Sequence, residues 1–255
     1  SGRNPISYDL ASIDIGVTSQ LLSPTLSSAY LNSIKPLADF ADNWELFKAR
    51  IFKKTVSPNV VIIGGGIGAV EIAMAIAYSF KKIGVIHYNI SILVRSKALK
   101  EVRSRTRKKI MATLTSLSIK VLENVKASHA TATQVLLHDN TEIASDFTII
   151  AAGATPYDWL KKTNLRLNNG FIEIDRELRT LSHQNIFAVG DCSYMTFSPR
   201  PKAGVFAVRQ ASVLFANIRA QLLKRRLKKF SPQKSHLKLI SLGSKNAVSD
   251  YALTS

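Results

Sequence analysis

Cysteine is almost missing from this chain, with one in 255 residues. A single thiol excludes an internal disulfide framework and any cysteine-rich metal site, and it suits a reducing compartment. The five histidines are scattered without metal-ligand spacing. A long uncharged apolar run is lacking too: the richest region, residues 60–80, contains Glu71 and three consecutive glycines, which makes it a poor membrane span. The N-terminus shows neither a Met nor a charged-then-apolar leader pattern, so the chain is expected to be an internal piece of a longer one. Neither repeats at solenoid periods nor low-complexity tracts are found.

Acidic residues are scarce. Asp and Glu number 17 against 35 Lys and Arg, for a formal charge of +18. Much of the excess sits at Arg103 to Lys109 and Lys224 to Lys229. Such density attracts nucleic acid or anionic lipid. The more ordinary reading is solvated helix faces and helix C-termini, where cations complement the dipole. Aromatic residues do not interleave with the basic ones, which argues against a single-strand nucleic-acid binder.

What is present in full is an apolar core, at 46% of residues, and a length that fits one large or two medium domains. Its most informative stretch is Val60-Val61-Ile62-Ile63-Gly64-Gly65-Gly66-Ile67-Gly68-Ala69-Val70-Glu71. A β-branched run, packed glycines and an Ala-rich helical pattern are the sequence form of a strand, a tight turn and a helix N-terminus that holds a pyrophosphate. Gly64 permits the turn, and Gly66 lets backbone approach phosphate. Ala69 stands where a third Gly often sits. A purely structural glycine turn is the competing reading.

Around this unit the chain punctuates itself. Residues 8–16 read as a short strand ending in Gly16, and residues 34–54 as a helix by the spacing of Ile34, Leu37, Phe40, Ala41, Trp44, Phe47 and Ile51. Strands are expected at Asn89 to Val94, Ile119 to Leu122 and Phe147 to Ala151. A basic amphipathic helix carries Leu99, Val102, Ile110, Leu114 and Leu117, and a hairpin turns at Asp139-Asn140. Further on, Phe171 to Ile174 and Ile186 to Val189 read as strands. A helix opens after Pro199 to Pro201, and Leu237 to Leu242 is a last strand. Alternating strands and helices predict an α/β fold with a parallel sheet covered by helices.

The strand Ile186 to Val189 ends in Gly190-Asp191, an acid placed to accept hydrogen bonds from polyol hydroxyls. Taken in order, Ser12-Ile13-Asp14-Ile15-Gly16, the Gly64 to Glu71 fingerprint, Ile149 to Pro156 and Gly190-Asp191 resemble the FAD/NAD(P)-binding pyridine nucleotide-disulfide oxidoreductases, specifically those like type II NADH dehydrogenases. Within that group, Pro199-Arg200-Pro201-Lys202-Ala203-Gly204-Val205-Phe206-Ala207-Val208-Arg209-Gln210 is similar to the module fused ahead of selenide, water dikinase. So are Pro232-Gln233-Lys234 and Leu239-Ile240-Ser241-Leu242-Gly243.

The resemblance implies a Rossmann-like NAD(P)-binding domain at 56–154, inserted in a partial FAD-binding domain formed by 1–55 and 155–255. The family's own first glycine-rich unit does not precede Tyr8. The implied cofactors are FAD and NAD or NADP, and the implied chemistry is hydride transfer from nicotinamide to flavin and on to an acceptor such as quinone. A non-catalytic nucleotide-binding module of a larger dikinase-type protein is the alternative. Gly64, Gly65, Gly66, Ala69 and Gly153 are expected at the nicotinamide nucleotide, with Glu71 near the nicotinamide end. Arg95, at the strand end where an acid usually takes the ribose hydroxyls, can instead pair with a 2′-phosphate. Gly16, Gly190, Asp191, Ala203 and Gly204 are expected at the flavin, with Lys202 adding to the helix N-terminus there. The protein is expected to be cytoplasmic, or peripheral at a membrane through the basic residues near Arg219 to Lys229. No specific nucleic acid is expected as a partner.

Overall fold

The computed structural model describes residues 4–18, 30–52, 57–233, 235 and 237–251. The chain forms two compact units, one of residues 1–18 with 154–234, the other of 19–153 with 235–255. It enters the first with β1 (Ala11–Ile13) and then builds most of the second. There follow β2 (Leu31–Ser33), α1 (Leu37–Phe52), β3 (Asn59–Ile63), α2 (Ile67–Lys82), β4 (Asn89–Val94), α3 (Ser104–Ser116) and β5 (Ile119–Glu123). An antiparallel excursion through β6 (Ala127–Ala130), β7 (Gln134–Leu137) and β8 (Glu142–Ala144) leads to β9 (Phe147–Ile150). The first unit resumes with β10 (Leu167–Asn168), β11 (Phe171–Ile174), β12 (Ile186–Ala188), β13 (Ser193–Met195) and α4 (Gly204–Leu222). A final hairpin, β14 (Lys238–Ser241) and β15 (Ala247–Asp250), returns to the second.

The second unit is a parallel sheet in the order β2-β9-β3-β4-β5. The strand β3 lies at its centre, and the period of two sends its side chains to opposite faces. Val60 and Ile62 join Ile90, Ile92 and Ile149 in one cluster with the buried faces of α1, α2 and α3. Val61 and Ile63 join Leu93 and the antiparallel excursion in another, with Ala130, Val135 and Leu137. Burial on both faces is why β3 reads as an unbroken apolar run. Phe47 stacks on Phe147 at 4.7 Å between centroids, and Trp44 meets both rings and Phe80.

In the first unit β1 pairs in parallel with β12, and β11 pairs antiparallel with β10 and parallel with β13. Its core gathers Ile172, Ile174, Phe187, Cys192 and Phe230. Asn217 of α4 is fully buried and straps the chain that follows the helix. Its amide donates to the carbonyls of Glu177 and Lys228 and accepts from the Lys228 N–H at 2.7 Å.

Several expectations change. The stretch 30–52, expected with the flavin half, pairs through β2 with β9 and packs α1 on the glycine-rich sheet. The hairpin 238–250, expected with 155–255, packs there too, with Ile240 and Val248 in the same core. The boundary near residues 55 and 56 falls outside the described residues, as do Lys53 and Lys54 of the expected helix and Lys234. Leu99 and Val102 are not helical. The helix starts at Ser104, and Leu99 is a buried turn residue in the left-handed region at φ 56°. The run Lys224 to Lys229 lies beyond the end of α4 rather than on its face. The strands β2, β6, β10, β13 and β15 have no counterpart among the expected strands.

Candidate functional site

The order of the sheet fixes where a ligand can sit. From β3 the chain moves to β4 on one side, while β9 flanks β3 on the other. At such a reversal the carboxyl ends of the strands leave a crevice. A cleft of about 430 Å³ lies there, lined by Gly64, Gly65, Gly66, Val94, Arg95, Ser96, Lys97, Lys100, Glu101, Lys126 and Gly153.

The glycines shape its floor. Gly64 has φ 144°, and a Cβ on it would stand 2.7 Å from the Ala151 carbonyl oxygen. A Cβ on Gly65 would fall 2.4 Å from the Val94 side chain. Gly66 is extended and leads into α2, whose first N–H groups have no partner further back in the helix. A dinucleotide pyrophosphate fits this cradle: backbone N–H groups at a helix start, a partial positive charge and no Cβ in the way. Gly153, in the left-handed region at φ 68°, closes the far wall.

The segment after β4 is tied down over this floor. The Leu99 N–H donates to the Gly65 carbonyl at 2.7 Å. The Ala98 N–H donates to Glu123 at 2.7 Å, and Arg107 bridges Glu123 and the Ala98 carbonyl. That backbone hydrogen bond, with help from Arg107 and against some burial, holds the Glu123 carboxyl below its ordinary range. The exposed side chains of Arg95, Lys97, Lys100 and Lys126 ring the opening.

Two expected residues stand elsewhere. Ala69 is fully buried where α2 packs on the sheet and does not line the cleft. Glu71 lies one helical turn below the cradle and accepts the Ser241 N–H of β14 at 2.8 Å. It anchors the final hairpin and is absent from the cleft lining, because four residues along a helix carry it about 6 Å from the N-terminus. No sequence signal marked Lys97, Lys100, Lys126 or Glu101, since a Leu-Lys-Glu run reads as helix until the Leu99 turn is seen.

In the first unit Gly190, Asp191, Lys202 and Ala203 come together at the start of α4, where Gly204 is the first helical residue and Ala203 its cap. Gly190 has φ 69°, and a Cβ there would meet Asp14 at 2.3 Å. Lys202 donates to the Ser193 carbonyl and lies 4.0 Å from the Phe171 ring centroid. Burial lowers its ammonium pKa while the Asp191 charge pulls the other way. Gln210 accepts the Gly190 N–H at 2.8 Å, and its buried Nε2 has no partner. An orphaned donor beside an acid and a helix N-terminus suits the polar edge of a flavin. The recess itself is only about 20 Å³, so these residues supply one wall for such a group. Gly16, with φ 67° and open space around it, follows β1 and is not in the recess lining.

A family model described as pyridine nucleotide-disulphide oxidoreductase matches residues 37–211. The chain belongs to this family. Among curated proteins, the chain is 25% identical over 204 residues to ferroptosis suppressor protein 1 of Xenopus tropicalis, covering 76% of the chain and 53% of that protein. It is 29% identical over 150 residues to rubredoxin-NAD(+) reductase of Pseudomonas putida, covering 55% and 36%. The chain thus spans about half the length of the curated relatives it matches first. Among solved structures, NDH2 from Plasmodium falciparum in complex with NADH superposes with a TM-score of 0.77 at 15% identity, covering 96% of the chain and 70% of that one. A putidaredoxin reductase–putidaredoxin complex gives 0.70 at 19%, covering 96% and 58%. The fold is the α/β fold of two-dinucleotide-binding flavoproteins.

Proposed function

We propose that the chain carries the nucleotide site and part of the flavin site of an FAD-dependent NAD(P)H oxidoreductase. The observation that carries this reading is the cleft at the carboxyl ends of β3, β4 and β9, floored by Gly64 to Gly66 and opening on the N-terminus of α2. When bound, the nicotinamide supplies a hydride and the flavin accepts it. This chain's residues cradle the pyrophosphate, receive the adenosine end among Arg95, Ser96 and Lys97, and hold the flavin edge at Asp191, Ala203, Lys202 and Gln210. The cationic rim supports NADPH as the preferred donor.

The acceptor we infer is a quinone met at a membrane surface. Among the described residues no helix is long and apolar enough to cross a membrane. However, α4 exposes Val208, Phe215 and Leu222 on one stripe that leads into Lys224 to Lys229. Apolar side chains beside a cationic run suit an anionic lipid interface. The segment Pro199 to Gln210 supports a finer placement, work beside a selenide, water dikinase.

Titration of the chain with NADPH and NADH, followed by nicotinamide fluorescence, tests the reading. Saturable binding that Gly66→Val abolishes without loss of the folded far-UV spectrum is expected. Arg95→Glu shifts preference toward NADH. Binding unchanged by Gly66→Val would remove the cradle from the site. In parallel, the chain is incubated with FAD, desalted and mixed with NADPH, and loss of retained yellow colour reports a complete hydride path.

A further inference from the structure

The donor best placed for a pyrophosphate is already taken by the protein itself. Glu101 sends its carboxylate onto the N-terminus of α2, where Oε1 accepts the Ile67 N–H at 2.8 Å. The same oxygen lies 3.2 Å from the position a Cβ on Gly66 would occupy, so it sits over the glycine floor itself. A negative oxygen at a helix start is favourable for the reason a phosphate is. One N–H directed at one oxygen cannot also serve a second anion in the same place, and two anions there repel each other.

Glu101 has freedom to leave, but its backbone does not. Leu99 is bonded to Gly65, Ala98 to Glu123, and the Glu101 carbonyl receives the Lys238 ammonium from β14. Glu101 is an exposed residue. Lys97 and Lys100 precede it in sequence and line the same cleft, so a displaced carboxylate stays among cations.

We propose that Glu101 is a built-in competitor for the pyrophosphate seat, an intramolecular anion that a nucleotide must displace. This rests on the nucleotide-site reading above and sets its affinity and selectivity. A single small anion gains too little from the cradle to evict the carboxylate. A dinucleotide evicts it because its two phosphates and its adenosine end make contacts elsewhere in the cleft.

The test measures dissociation constants of inorganic pyrophosphate and of NADPH for the wild-type chain, Glu101→Gln and Glu101→Ala at one fixed ionic strength. Melting temperatures confirm that all three are folded. Both variants are expected to bind pyrophosphate about two- to fivefold tighter, the scale of an exposed charge at a helix N-terminus, and to bind NADPH tighter as well. Equal or weaker binding of both ligands by the variants overturns the proposal, and weaker NADPH binding alone does so too, since Glu101 would then be a nucleotide ligand. If pyrophosphate binding rises while neither the wild-type chain nor the variants bind NADPH, the competitor stands and the nucleotide reading falls. If NADPH binds wild type and variants alike, the reading stands and the competitor falls.

Discussion

The three glycines of the loop differ in what they tolerate. Gly64 combines a positive φ with a backbone carbonyl where its Cβ would go, and no side-chain movement relieves that. Gly66 is extended, and its nearest obstacle is the far end of the Glu101 side chain. Gly64→Ala is therefore expected to cost about 2 kcal/mol or more of stability. Gly66→Ala stays within about 1 kcal/mol of wild type and changes ligand binding instead. Urea unfolding of the two variants separates these outcomes. Cys192 makes a second residue-scale case. It is fully buried, and burial raises its thiol pKa. In the native protein it is expected to be inert to a thiol reagent that labels it fully in denaturant. The sequence made all three glycines visible as a group. It could not rank them, because Ala151 and Val94, which do the ranking, arrive from other strands.

Between elements, the final hairpin is held by charge. The buried Asp250 carboxylate accepts from Thr106 at 2.8 Å and Arg103 at 3.1 Å, with Lys238 at 3.7 Å. Burial alone would push this carboxyl up, but the Thr106 and Arg103 hydrogen bonds and the Lys238 charge outweigh it and leave it below the usual value. A carboxyl depressed in the folded state stabilises fully above its unfolded pKa, about 3.9. That stability disappears as pH falls through the lower folded value. Asp250→Asn is accordingly expected to lose about 1–3 kcal/mol at pH 7. The gap to wild type narrows below about pH 4, as thermal melts at several pH values would show. None of this was legible beforehand. A single strand at Leu237 to Leu242 was expected, and the residues that make a partner strand worthwhile, Arg103 and Thr106, lie about 150 positions earlier in the chain. By contrast β4 and β11 match their expected bounds, since an apolar run ending at charged or glycine residues is a local signal.

Over the whole molecule, the excess of positive charge is the property with the longest reach. It does not sit on nucleic-acid-type aromatics; it rings the cleft and trails from α4. Two consequences can be measured. NADPH affinity is expected to fall several-fold between low and high salt as screening shortens the reach of the rim cations. The chain is expected to sediment with vesicles containing phosphatidylserine but not with phosphatidylcholine alone, and Phe215→Glu should weaken that association. Indifference to lipid charge would leave α4 without a membrane role. Which family the chain belongs to was readable from four motifs in order. How the chain is shared between its two units was not, because β2 and the hairpin are joined to the glycine-rich sheet by pairing and packing that no local pattern reports.

That last connection bears on synthesis. Ile240 and Val248 complete a core whose other members are made far earlier, and a Cβ at Gly243 would collide with the Met74 backbone at 2.3 Å. The glycine-rich unit thus waits on the ribosome through the whole of residues 154–234 before its last pieces emerge. A nascent chain arrested short of Leu237 would carry the nucleotide cradle with α2 bare on the side that meets β14, Glu71 without Ser241, and a greasy surface open to chaperones.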